Sequence, residues 1–141
     1  MEEKIILHLC ADTGSDSKPY KDNGYAVILI GRDIGVENYH PPKNVYGIFA
    51  NPPCTNFSSV RTSAKIPRNE KEGMRLVKEC QRIIVECENL KFWVIENPAT
   101  GLLKKYLGLP QFTYWIDYRN SIRNFDKYLK LCHRKKHGFK R

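Results

Sequence analysis

The sequence predicts an α/β fold built on a mostly parallel β-sheet flanked by helices, and three observations carry that prediction. Four short apolar runs lack the alternation of half-buried strands, as expected for strands covered on both faces. A long amphipathic pattern separates the third run from the fourth. The chain has 141 residues, 41% apolar and 28% charged, which suits one folded domain with a single core.

Taken in order, Lys4–Cys10 (KIILHLC) is the first strand, rich in Ile and Leu, and it runs into the turn-forming cluster Ala11-Asp12-Thr13-Gly14-Ser15-Asp16-Ser17. A weak helix is expected within Ser17–Asn23. Tyr25–Ile30 (YAVILI) is the second strand, ending at Gly31-Arg32-Asp33, and Val45–Ala50 (VYGIFA) is the third, stopped by Asn51-Pro52-Pro53. The clearest helix covers roughly Glu70–Glu88: Leu76, Cys80, Ile83 and Cys87 recur at helical spacing, with Met74, Val77 and Ile84 widening the stripe. Glu72, Arg75, Glu79, Arg82 and Glu86 take the other side. Lys91–Ile95 (KFWVI) is the fourth strand, stopped by Glu96-Asn97-Pro98, and Thr100–Leu107 reads as a shorter helix.

Composition narrows the function. The longest apolar stretch, Tyr25–Ile30, is too short to cross a bilayer, so no membrane role is expected. The acidic start, Met1-Glu2-Glu3-Lys4, lacks the features of a secretory signal. Five cysteines without paired spacing argue for a reducing compartment, and the expected location is the cytoplasm. Cys132, His133 and His137 fall short of a zinc-site pattern, so no metal is expected. The net charge is +9, and nine basic residues with one acid between Arg119 and Arg141 supply +8 of it. Residues 1–118 therefore read as one α/β domain, and 119–141 as a basic tail, helical or partly disordered, suited to a polyanion such as nucleic acid. The aromatic run Phe112, Tyr114, Trp115 and Tyr118 is read as cover for the end of the sheet.

In parallel sheets, ligands sit beyond the carboxyl ends of the strands, and every polar cluster named above lies at such an end. After the first strand, a Gly/Ser turn lets backbone N–H groups approach a ligand. After the second, Asp33 is placed to accept hydrogen bonds from a ribose diol. The third delivers Cys54 on a rigid Pro52-Pro53 turn and the fourth delivers Glu96-Asn97, a nucleophile and acid pair. The alternative for Cys54 is an inert buried thiol, the reading given to Cys80 and Cys87 on their helix stripe.

The assembled pattern resembles the DNA cytosine-5 methyltransferases over roughly Ile5 to Gln111. Leu7-His8-Leu9-Cys10-Ala11-Asp12-Thr13-Gly14 is similar to that family's first motif, and Gly24-Tyr25 with Asp33 to its second. Asn51-Pro52-Pro53-Cys54-Thr55-Asn56-Phe57-Ser58 resembles the catalytic Pro-Pro-Cys-x-x-Phe-Ser segment, and Glu96-Asn97-Pro98-Ala99-Thr100-Gly101-Leu102 the Glu-Asn-Val-x-Gly-Leu motif. Gly108-Leu109-Pro110-Gln111 matches a later element only faintly.

The resemblance implies a reduced Rossmann-like sheet of the S-adenosylmethionine-methyltransferase type. It implies S-adenosylmethionine as cofactor, held by Cys10, Ala11, Asp12, Gly14, Ser15, Asp33, Asn51 and Pro52. Cys54 would add to C6 of a cytosine, Glu96 would hold its N3 edge, and Asn97 would fix the geometry. DNA is the implied partner, with Arg61, Lys65, Arg68, Arg119, Arg123, Lys127 and Lys130 on its phosphates.

Departures from the family are specific. His8 stands where the family has an acid, Cys10 where it has phenylalanine, and Asp12 where it has glycine. Ile34–Asn44 is too short for the strand and two helices usual between the second and third strands shown here. A target-recognition domain is expected to be missing, a layout shared with small phage-encoded relatives, for which the location would be the host cytoplasm. The basic tail, a protein partner or a second copy would then supply recognition. Two alternatives stay open: a catalytically inactive nucleic-acid-binding or accessory protein, and an amino-group methyltransferase, whose Asn-Pro-Pro-aromatic motif the Asn51-Pro52-Pro53 segment also resembles.

Overall fold

The computed structural model describes residues 3–11, 13–58, 65–97 and 101–107. Within them, four parallel strands form one sheet: β1 (Ile5–Leu9), β2 (Ala26–Ile30), β3 (Val45–Ala50) and β4 (Phe92–Ile95), in the order β2-β1-β3-β4. Helix α1 (Lys18–Asp22) links β1 to β2, a single 3-10 turn (Val36–Asn38) lies between β2 and β3, and α2 (Glu70–Glu86) links β3 to β4. A short α3 (Lys104–Leu107) follows. The architecture is thus α/β with an all-parallel sheet, as the unbroken apolar runs require.

Residue parity divides the sheet into two faces. Leu7 and Leu9 of β1, Ile48 and Ala50 of β3, and Ile30 of β2 meet Val36, Cys80, Ile83 and Ile84 in one apolar cluster under α2. Ile6, Phe49 and Phe92 point to the other face, where Tyr20 of α1 stacks against them. Ile6, Leu7, Leu9, Ile48 and Ile83 have no exposed surface, and each contributes about 1.5–3 kcal/mol by leaving water. A register shift between Ile5 and Ile6 lets Tyr46 join the aromatic face, with the Lys4 ammonium 5.0 Å from its ring centre.

Boundaries differ from the sequence reading where a side chain or turn ends an element. Cys10 leaves β1 because its backbone is left-handed, at φ +55°. Helix α2 stops at Glu86, since Cys87 is extended at φ −85°, ψ 108°. At its other end, Asn69 accepts a hydrogen bond from the Glu72 N–H at 3.0 Å, a cap worth about 1 kcal/mol. Helix α3 begins at Lys104 instead of Thr100. The 112–118 aromatic run, the 119–141 tail and Gly108–Gln111 lie outside the described residues. No described helix is long and apolar enough to cross a membrane.

The two faces set a local size limit at Gly47. A Cβ there would stand 2.2 Å from Cε1 and Cζ of Phe92, whose ring lies across the strand. Gly47→Ala is expected to cost about 1–3 kcal/mol by forcing that ring off its site, measured by urea unfolding. Phe92→Leu in the same chain should recover part of the loss, because the added methyl then has room.

Candidate active site at the carboxyl edge of the sheet

The chain passes from β1 to β2 on one side, then returns across β1 to start β3 on the other. The carboxyl ends of β1 and β3 therefore diverge at a topological switch point, the place where open parallel sheets hold ligands. Backbone pairing continues one residue beyond the strands: Asn51 N–H donates to Leu9 O at 3.0 Å and Glu96 N–H to Ala50 O at 2.9 Å. By the same parity, His8, Asn51 and Glu96 follow Ile6, Phe49 and Phe92 onto the aromatic face.

These three meet. The Asn51 NH2 donates to Asp16 Oδ2 at 2.7 Å and to Glu96 Oε2 at 3.3 Å. With its NH2 group committed to two carboxylates, the amide turns its Oδ1 toward His8 Nε2, 2.8 Å away. The imidazole donates from Nε2, and its Nδ1 lies 2.9 Å from the Ser17 hydroxyl. That hydroxyl has one proton to donate, shared between Nδ1 and the Gly14 carbonyl oxygen, 3.1 Å away. His8 and Ser17 are the buried polar residues of the described core, and each has its partners here. Sequence reading singled out Asn51 and Glu96 but gave His8, Asp16 and Ser17 no role. The available signal was a lone histidine inside an apolar strand, which must find hydrogen bonds once buried.

The loop that carries Cys54 is fastened at several points. Phe57 and Ser58 N–H both donate to the Cys54 carbonyl oxygen at 2.8 Å, closing a tight turn. The Phe57 ring is fully buried beside Val77 and Leu103, and a Cβ on Gly73 would come within 2.7 Å of it. Asn56 Oδ1 accepts from Asn69 N–H, tying the loop to the start of α2. Asn97 Nδ2 donates to Pro52 O at 2.9 Å, and Leu102 N–H donates to Phe57 O at 2.8 Å. The segments after β3 and β4 are thereby stitched into one rim. Cys54 and Glu96 are both exposed on these segments, and Pro52 is buried.

The remaining residues are placed as follows. Cys10 is half-buried, and its left-handed backbone swings the side chain to the α2 face, with Sγ 3.8 Å from Cys80 Sγ. Ala11 is buried, its N–H donating to Ile30 O at 3.1 Å. Gly14 takes φ +72°, while Ser15 and Asp33 are exposed. Asp12 and Arg61 lie outside the described residues, as do Arg119, Arg123, Lys127 and Lys130. Lys65 is exposed, whereas Arg68 is half-buried and donates from Nη2 to Ser58 O at 2.9 Å. Cys80 and Cys87 are buried; burial pushes the Cys87 thiol up to about 11, and the Cys10 contact with burial raises that of Cys80. Among the described residues no cluster of histidine, cysteine and acidic groups is arranged to hold a metal.

The described residues thus form an α/β protein on an all-parallel sheet, with polar loops gathered at its switch point. Over 88 residues the chain is 32% identical to a probable DNA (cytosine-5)-methyltransferase of Frog virus 3 (isolate Goorha), covering 55% of this chain and 38% of that protein. The chain thus spans well under half of that relative's length. No protein-family model matches the chain. No solved structure matches it.

Burial holds the His8 imidazole below its ordinary value of 6.5, against the opposing effects of the Asn51 hydrogen bond and the Asp16 charge. The unfolded chain therefore takes up a proton near pH 6.5 that the folded chain refuses. The stability this gives is complete above that pH and is lost as pH falls toward the lowered folded value. Urea unfolding at pH 7.5 and 5.5 should show wild type losing more stability on acidification than His8→Gln, which has no such group.

Proposed function

We propose that the chain acts as a DNA cytosine-5 methyltransferase on a reduced Rossmann-like sheet, using S-adenosylmethionine. The observation that carries this reading is the stitched rim: Asn51 on Glu96, Asn97 on Pro52 and Leu102 on Phe57 bring a Pro-Pro-Cys turn and a Glu-Asn strand end together. The partial likeness to a probable DNA (cytosine-5)-methyltransferase supports the same reading.

The edge around the switch point fits the cofactor's chemistry. The sulfonium is cationic, and Asp16 and Glu96 place two carboxylates on one amide. Asp33, exposed beyond β2, suits a ribose diol. Cys10, Ala11, Asp12, Gly14 and Ser15 would border the cofactor from the β1 loop, with Asn51 and Pro52 opposite. When bound, S-adenosylmethionine supplies an electrophilic methyl group.

Within this reading the Cys54 thiolate would form an S–C6 bond as the C5–C6 π pair moves to C5; that pair would bond the methyl carbon as the methyl–sulfonium bond breaks, its electrons staying on the cofactor sulfur as a neutral thioether. Glu96 holds the N3 edge of the base and favours its protonation, which makes C6 electrophilic. Loss of the C5 proton to a base then expels Cys54, breaking the S–C6 bond. Asn97 restrains the Pro52 carbonyl beneath the turn, so the thiol is presented from a fixed backbone. In duplex DNA the cytosine must leave the stack to reach this rim. Arg61 and Lys65, which follow Cys54 in the sequence, and the basic residues Arg119, Arg123, Lys127 and Lys130 serve the phosphates, with Arg68 partly committed to Ser58.

The amino-group methyltransferase alternative needs the Asn51 carbonyl oxygen to accept from a substrate amine. That oxygen already faces His8 Nε2 at 2.8 Å.

An oligonucleotide bearing 5-fluorocytosine tests the mechanism, because fluorine at C5 blocks the final elimination. Wild type with S-adenosylmethionine should form an adduct that survives denaturation, and Cys54→Ala should form none. Cofactor affinity by calorimetry should agree within about threefold between the two, since a side-chain truncation at an exposed site removes no cofactor contact. Cofactor binding without methyl transfer would favour the inactive accessory protein, and equal methyl incorporation by both chains would remove Cys54 from the reaction.

A further inference from the structure

His8 and Asn51 come from strands on either side of the switch point, and their side chains join at 2.8 Å. Among the described residues, the Asn51 amide is the hydrogen-bond partner of the otherwise exposed Glu96 carboxylate. Its three partners come from β1, from the β1–α1 loop and from the end of β4. An asparagine held by its NH2 edge alone can swing about its side-chain torsions; a donor on the opposite oxygen removes that freedom. The donor is buried, at 3% exposure, and its ring is braced by Ser17 and faces Phe49 at 6.3 Å between centres.

We infer that His8 is a positioning residue for Glu96: its Nε2–H fixes the Asn51 amide, and the amide holds the Glu96 side chain in one orientation at the rim. This rests on the functional reading above for its consequence in catalysis, and on geometry alone for the ordering of Glu96. Histidine at position 8 and asparagine at position 51 then form one unit. Neither side chain needs to touch substrate for the pair to matter, because an acid that must meet one edge of a base loses rate when its rotamers multiply.

The test uses the full chain as wild type, His8→Phe and His8→Gln. Phenylalanine fills the space with no donor, while glutamine can donate to Asn51 and accept from Ser17. The first readout is independent of turnover: NMR scalar couplings of Glu96 should report a single side-chain rotamer in wild type and His8→Gln, and averaging in His8→Phe. The second is methyl transfer, with kcat about tenfold lower in His8→Phe, recovery to within about threefold in His8→Gln, and cofactor affinity nearly constant across all three. A single Glu96 rotamer in His8→Phe overturns the inference, as does averaging in His8→Gln equal to that in His8→Phe. Should His8→Phe fail to fold, Asn51→Ala takes its place, and an unaveraged Glu96 there overturns the inference equally. Rotamer averaging as expected in a chain that transfers no methyl group supports the positioning and overturns the functional reading alone.

Discussion

One side-chain amide organises the carboxyl edge of this sheet. Asn51 reaches Asp16, Glu96 and His8 at 2.7, 3.3 and 2.8 Å, joining three segments that are far apart in sequence. Each contact constrains the next. Two carboxylates demand the NH2 edge, which sends the carbonyl oxygen to His8, which sets the nitrogen that carries the imidazole proton. Without the amide, the buried His8 ring would lose the partner of its Nε2, a costly loss for a polar group shut away from water.

The sheet beneath makes this junction geometrically available. Parallel register aligns Leu9 with Ala50 and Ala50 with Ile95, so the next residues on β3 and β4 emerge side by side. Parity then sends His8, Asn51 and Glu96 to the face opposite α2. The left-handed backbone of Cys10 does the reverse, turning its side chain back to Cys80 at a cost of about 1 kcal/mol. That turn ends the strand after Leu9, and from the loop beyond it Ser17 reaches His8 and Asp16 reaches Asn51. Phe57, seated against Gly73, anchors the neighbouring loop from below.

Much of this was legible in the residues because the signals were local. Continuous Ile, Leu and Val runs mark strands buried on both faces, and Asn51-Pro52-Pro53 and Asn97-Pro98 stop two of them where backbone donors run out. The thiol and the acid therefore stand at strand ends on the sequence pattern alone. What the sequence hid was pairing. Asp16 and Ser17 sit in a turn-forming cluster where such residues are ordinary, and Asn51 looks like the start of a turn. Their common partner follows only from which strands are neighbours and which face each residue takes. Arg68 shows the same limit: it reads as a phosphate contact by charge, yet its guanidinium reaches back to Ser58 O.

The cysteines sort themselves by the same physics. A thiol reacts as thiolate, so burial in apolar surroundings silences it. Cys80 and Cys87 line the α2 core with raised pKa values, and Cys10 is turned toward Cys80. Cys54 is the exposed cysteine among the described residues, and the backbone that carries it is fixed by the turn to Phe57 and Ser58 and by Asn97 on Pro52. A flexible loop would present an accessible thiol in many directions and gain little from a neighbouring acid. Under the proposed function, a rigid turn whose rim also carries Glu96 would give the exposed Cys54 thiol a defined approach to its substrate, and the proposal of covalent chemistry at this edge rests on that combination.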